Sequence, residues 1–219
     1  MISVLCPSRE RVGQLAVSVT SLVRNAARDI EILVVADDDD LATIGAVPEI
    51  GPPARLLVTS RKGYGGLHEY YQLAAAAARA SAGDWLMVWN DDARMVTPGW
   101  DTVIAAQQPG VLWMRANHCD GGNLFPAWPR AWSEALGHVS LVPHVDMWIQ
   151  RLGSELGCQR RVDVEVLHDR KDVTGGHDDA TYAEGRGPLG PNGMTGPFPD
   201  ELVRADAAVI RSLGAVRML

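Results

Sequence analysis

Lysine is nearly absent from this 219-residue chain: it occurs only at Lys62 and Lys171, with arginine filling the rest of the basic positions. We attribute that bias to coding composition rather than to chemistry. Acidic residues outnumber basic ones 27 to 20, and the formal net charge of −7 gives no general attraction for nucleic acid or anionic membranes. Cysteine is also scarce. Cys6, Cys119 and Cys158 are odd in number, widely spaced and outside any CxxC pair, which argues against a disulfide framework and for free thiols in a reducing compartment. No apolar run approaches the roughly 20 residues that cross a bilayer. Met1 leads straight into an apolar strand pattern, with no basic leader and no cleavage site, so no signal peptide is expected. Together these absences predict a cytoplasmic protein. What remains, 47% apolar and 21% charged residues, is the composition of an ordinary globular domain with a real core.

The chain alternates strand and helix patterns. Residues 2–6 (ISVLC) form a short apolar run stopped by Pro7. Leu15, Val19, Leu22, Val23 and Ala26 then recur at helical spacing, predicting a helix over about 11–27. Residues 30–36 (IEILVVA) make a second buried strand that ends in Asp37, Asp38, Asp39 and Asp40, completing a right-handed βαβ unit. A loop is expected over 45–54 from its glycine and prolines, then a strand (ARLLVT) ending at Thr59. The glycine-rich RKGYGG precedes a helix with Leu67, Tyr71, Ala74 and Ala78 on one face.

The stretch GDWLMVWNDD at 83–92 is a doubly buried strand that breaks off in Asn90, Asp91 and Asp92. Carboxylates there lie at the carboxyl edge of a parallel sheet, where open α/β folds bind ligands. They suit a divalent ion held by one or two carboxylates plus substrate phosphates.

The second half is less regular. Short elements are expected at 100–106, 111–116 and 129–136, a clearer helix over 145–156 with Gly157 as its cap, and an alternating strand at 162–167 that delivers His168. Residues 117–123 read as a polar turn and the Gly/Pro-rich 185–199 as a loop or lid. A final helix over 200–213 starts with Asp200 and Glu201. Trp113 and Trp148 are expected in the core, and Trp128 and Trp132, in a Pro-broken loop, beside a bound acceptor. The fold expected is a single α/β domain with a mostly parallel sheet flanked by helices. Its nucleotide half is residues 1–92 and its acceptor half 93–184, followed by the loop 185–199 and the C-terminal helix 200–219.

PSRER after the first strand, VVADDDD after the second, RKGYGG opening a helix and WNDD after a later strand together resemble the GT-A glycosyltransferases, most of all small inverting members of the family-2 type. The resemblance runs from Ile2 to about Glu184. It implies a nucleoside diphosphate sugar as donor, UDP-sugars favoured, a hydroxyl-bearing acceptor and a divalent metal, Mn²⁺ or Mg²⁺. It casts Asn90, Asp91 and Asp92 as the DxD motif, with Asp92 on the metal, Asp91 a diphosphate- or ribose-side partner of the donor, and Asn90 a departure that brings no charge but accepts from the ribose. Pro7, Arg9, Asp37 and Arg61 become donor-binding residues with Lys62 beside them, and Asp146 the general base. His168 becomes a third metal ligand, with His177, followed by Asp178, Asp179, Thr181 and Tyr182, as its competitor. The net charge gives no support to a nucleic-acid acceptor. Two other readings stay open: a nucleotidyltransferase, although PSRERVG has one glycine where such enzymes carry a glycine-rich loop, and a non-catalytic nucleotide-sugar-binding protein, for which Asn90 is the argument.

Overall fold

A computed structural model of the protein describes residues 1–78, 85–117, 125–169 and 198–214. Eight strands form one sheet: β1 (Ile2–Pro7), β2 (Glu31–Asp37), β3 (Ala54–Thr59), β4 (Trp85–Val88), β5 (Ala93–Met95), β6 (Val111–Ala116), β7 (Ala127–Pro129) and β8 (Gln159–His168). Their spatial order is β3-β2-β1-β4-β7-β6-β8-β5. Strands β3, β2, β1 and β4 run parallel; β2, β1 and β4 are buried along nearly their whole length, and β3 at the edge is half-buried. Beyond them β7 pairs antiparallel with β4 and β6, β8 runs parallel to β6, and β5 closes the edge antiparallel to β8.

Helices cover both faces. Among the described residues they are α1 (Val12–Asn25), α2 (Leu41–Ile50), α3 (Leu67–Ala77), α4 (Trp100–Ala105), α5 (Arg130–Leu136), α6 (Val145–Glu155) and α7 (Asp200–Ser212). One core layer joins Leu15, Val19 and Leu22 of α1 and Trp100 and Ile104 of α4 to Val4, Ile32 and Met87. The other joins Tyr70 and Tyr71 of α3, Trp148 and Leu152 of α6 and Val203 and Ile210 of α7 to Leu5, Leu33 and Val88. Alternate strand residues thus feed alternate layers, as a period of two dictates.

Several expectations need correction. Residues 45–50, expected in a loop, belong to helix α2: Asp40 caps it by accepting the Thr43 N–H at 3.1 Å, and Pro48 sits late enough for Thr43 and Val47 still to pack inward. The three-residue strands β5 and β7 lie in stretches with no strand signal. Trp128 and Trp132 are buried to about 1% exposure and cannot stack on an open acceptor. Trp113, expected in the core, is half-buried, with the Arg161 guanidinium 5.4 Å from its ring centroid. Gly157, at φ 65°, ends α6 as expected. His177, the residues after it, Cys119 and all but the last two residues of 185–199 lie outside the described residues.

Candidate active site

The carboxyl edge of β4 continues through Trp89 to Asn90, Asp91 and Asp92, and β5 begins at the next residue. Because β5 pairs antiparallel with β8 and Ala93 stands opposite His168, the end of β8 is carried directly to Asp92. The backbone N–H of Asp169 donates to the Asp92 carbonyl at 2.9 Å, and Asn117 brackets His168 by accepting its N–H at 2.7 Å. His168 Nε2 then lies 3.0 Å from Asp92 Oδ1 and 3.2 Å from Asn90 Nδ2. The imidazole is buried and stands edge-on to Phe125.

This pair fits a divalent ion. An octahedral ion with bonds of about 2.1 Å has ligand–ligand edges of about 3.0 Å, the separation found between Nε2 and Oδ1. His168 Nδ1 is buried and has no hydrogen-bond partner among the described residues, so the outer-shell acceptor that usually orients a metal-bound imidazole is not among them. No group of three His, Cys, Asp or Glu side chains among the described residues could hold an ion. Two protein ligands are enough where substrate phosphates complete the shell.

Asp91 turns the other way. Its Oδ2 accepts the Ser8 hydroxyl at 2.8 Å and its Oδ1 the Arg11 guanidinium at 3.0 Å. Arg11 also approaches Asp92 Oδ2 at 3.5 Å. Burial pushes the Asp91 carboxyl up to about 6, against the pull of Arg11 and with a push from Asp92. Asp91 is thereby bonded to the β1–α1 turn instead of facing outward.

On the neighbouring strand, Asp37 closes β2 and is buried. The Tyr70 hydroxyl donates to its Oδ1, and Arg9 donates to its Oδ2 at 2.8 Å while also gripping Asp39. Lys62 N–H donates to the Tyr70 oxygen at 2.7 Å, tying the RKG loop to the same point. Arg61 is exposed, within electrostatic reach of Asp39. Pro7, in register with Val35, ends β1 between these two clusters. Asp40 has structural partners: besides capping α2, it accepts the backbone N–H of Glu10, a residue at φ 56° in the β1–α1 turn.

Asp146 lies in the first turn of α6, half-buried, with its Oδ1 accepting the Met147 N–H at 2.8 Å. Burial raises its pKa above the ordinary carboxylate range, and His144 and His168 pull it partly back. Asp146 is thus electrostatically coupled to His168, within reach of the rim that holds Asp92. Tyr71, whose hydroxyl donates to the Trp89 carbonyl at 3.1 Å, feels both Asp146 and Asp91. The structure therefore gathers Asn90, Asp92, His168 and Asp146 at one edge, with Asp37, Arg9, Arg61 and Pro7 along it. Ser8, Arg11 and Tyr70 join them unforeseen: Arg11 is one basic residue among many in the sequence, and Tyr70 adjoins the helix face that Tyr71 marks.

The 3-2-1-4 parallel half followed by an antiparallel crossing strand is consistent with a fold of the GT-A class. Solved structures of this class are similar to the chain. The mannosyltransferase PcManGT from Pyrobaculum calidifontis, in complex with GDP-Man and Mn²⁺, is 14% identical over 100% of this chain and 76% of its own, with a TM-score of 0.60. The S. aureus TarS fragment 1–349 with UDP is 14% identical over 76% of this chain, with a TM-score of 0.59. Glucosyl-3-phosphoglycerate synthase from Mycobacterium tuberculosis, with Mn²⁺, UDP and glucosyl-3-phosphoglycerate, is 13% identical over 78% of this chain and 72% of its own, with a TM-score of 0.57. The chain spans about 60% of the TarS fragment. What is shared at this level of identity is the fold. The sequence matches no protein-family model and no curated protein. Among the described residues, no helix is long and apolar enough to cross a membrane.

Proposed function

We propose that this chain is a glycosyltransferase that moves a sugar from a nucleoside diphosphate donor, a UDP-sugar by preference, to a hydroxyl acceptor with inversion. The observation that carries the reading is the 3.0 Å approach of His168 Nε2 to Asp92 Oδ1 at the carboxyl edge of the sheet, with Asp146 near enough to feel the same imidazole. Asp92 and His168 would hold a divalent ion, Mn²⁺ or Mg²⁺, which when bound supplies positive charge against a departing diphosphate. Asp37, oriented by Tyr70 and Arg9, accepts from the nucleoside, and Arg61 offers a guanidinium to the base or the phosphates.

The acceptor oxygen attacks the anomeric carbon as the bond from that carbon to the diphosphate oxygen breaks, and the acceptor proton passes to Asp146. A carboxylate made more basic by burial suits that task. Two buried free thiols, Cys6 and Cys158, support placing the protein in the reducing cytoplasm.

The test is release of nucleoside diphosphate from a panel of UDP- and GDP-sugars with Mn²⁺ and simple hydroxyl acceptors. Release with every donor held below background refutes the transferase. Pyrophosphate release from nucleoside triphosphate and sugar phosphate would instead identify a nucleotidyltransferase, and tight donor binding without turnover a non-catalytic binder.

A further inference from the structure

Asp92 and His168 Nε2 are already engaged by their own neighbours. The Arg11 guanidinium, buried with the acids, stands 3.0 Å from Asp91 and 3.5 Å from Asp92. Among the described residues, the cluster of Asp91, Asp92 and Arg11 carries a single net negative charge beside the place where a divalent ion would sit. On the other side, the Asn90 amide lies 3.2 Å from His168 Nε2, the nitrogen whose lone pair an ion would need. If Nε2 is bare it accepts from Asn90; if it carries the proton it donates to Asp92. In either tautomer Nε2 has a partner already. Affinity for hard cations rises with the number of charged oxygen ligands, and a buried cation a few ångströms away opposes a second one strongly.

We propose that Arg11 and Asn90 keep this pocket from retaining a divalent ion alone, so that the ion enters only together with a nucleoside diphosphate, whose phosphate oxygens supply the missing charge. The inference rests on Asp92 and His168 as the metal ligands of the proposed reaction. It assigns Arg11 a role that no motif suggests: a fixed counter-charge that is always present, because a guanidinium does not lose its proton. It also turns Asn90 from a weakened ligand into a part of the gating, since an amide here competes for the imidazole and adds no charge.

The experiment is a Mn²⁺ titration of the full chain, read by the electron paramagnetic resonance signal of free Mn²⁺, without nucleotide and with saturating UDP or, separately, GDP. Wild-type protein takes up Mn²⁺ at least about a hundredfold more tightly with one of the nucleotides than without, as one net charge against several predicts. Asn90→Asp and Arg11→Met each tighten nucleotide-free binding about tenfold or more, while Arg11→Lys, which keeps the charge, stays near wild type. Asn90 is half-buried, so Asn90→Asp carries the test even if Arg11→Met does not fold. Equal wild-type affinity with and without nucleotide, or an unchanged nucleotide-free affinity in folded Asn90→Asp, overturns the inference and leaves the proposed function standing. No uptake of Mn²⁺ with either nucleotide overturns both.

Discussion

The hydroxyl of Tyr70 donates to Asp37 Oδ1 and accepts the backbone N–H of Lys62 at 2.7 Å, so one phenol joins the end of β2 to the loop that leads into α3. Burial and the neighbouring carboxylate push this phenol up to about 12, so it stays a donor through the physiological range. Tyr70→Phe removes the donor without removing the ring. A hydrogen bond to a charged group is worth about 1.5–3 kcal/mol, and Asp37 keeps Arg9 as its second partner. We expect the donor KM to rise about tenfold with kcat changed less than about threefold. Steady-state kinetics against a nucleotide-sugar donor checks it; an unchanged KM with a lowered melting temperature would make Tyr70 purely a packing residue.

Asp92 and His168 define the second prediction. Asp92→Asn removes the only carboxylate whose oxygen faces Nε2 at 3.0 Å among the described residues. Loss of charge stabilisation at a leaving group lowers kcat by about 10²–10³-fold or more. Chelation by EDTA abolishes wild-type turnover and added Mn²⁺ restores it, whereas Asp92→Asn is not restored at the same Mn²⁺ concentration. Full activity in the variant would remove Asp92 from the metal site.

Some of this was legible in the sequence, and the reason differs from part to part. Strands β1, β2 and β4 are dominated by apolar residues because both of their faces are covered, and α1 and α6 carry clear helical periodicity. Helix α2 was hidden behind Gly45 and Pro48, although the cap at Asp40 and the spacing of Thr43 and Val47 were there to be read. Three-residue strands such as β5 and β7 exist through their partners and leave no period to detect. The same limit applies to the site. Asp92 and His168 stand out singly at strand ends, but that they meet depends on the pairing of Ala93 with His168, a contact between residues 75 apart in the numbering. Arg11 gains its meaning only from the two carboxylates that surround it. Trp128 and Trp132 went the other way: their proline neighbours suggested an open loop, and the packing of β7 and α5 into the core buries both.

The third prediction concerns Asp146 and pH. Burial raises its carboxyl above the ordinary range, so the proton is held to a higher pH than in the unfolded chain. A general base works only when ionised, and kcat/KM therefore falls as pH drops through this raised value, with the acid limb displaced upward from the usual carboxylate position. For stability the sign is opposite: between the unfolded and the raised folded pKa the native state binds more protons, so this group's contribution declines as pH rises through that window. Asp146→Asn lowers kcat about 10²–10⁴-fold, and the residual rate loses the acid limb. A pH–rate profile of both proteins is the measurement, and an acid limb that survives in the variant would assign it to another group.

The last prediction tests what holds Asp146 in place. Helix α6 crosses the sheet at Gly153, where a Cβ would come within 2.7 Å of the Val111 side chain and 2.8 Å of Gln159 Cγ. Val111 belongs to β6 and is fully buried, and Gln159 starts β8, so neither flank is open space. The close approach seats Trp148, Ile149 and Leu152 in the core and fixes the height of the first turn, with Asp146, above the sheet edge. Gly153→Ala forces the helix outward, and overpacking of this kind costs about 1–3 kcal/mol. The displacement is rigid along the helix, so it reaches Asp146 two turns away. A misplacement of about 1 Å at a reacting group lowers rate by as much as about a hundredfold. We therefore expect a lower melting temperature together with a fall in kcat, while nucleotide affinity, with the proposed donor site on the β1–β4 half, stays within about threefold of wild type. Thermal denaturation, kinetics and nucleotide binding on the same preparation separate these effects. A variant that loses stability but keeps kcat would mean that α6 absorbs the methyl group locally, and that Asp146 is positioned from the His144 side instead.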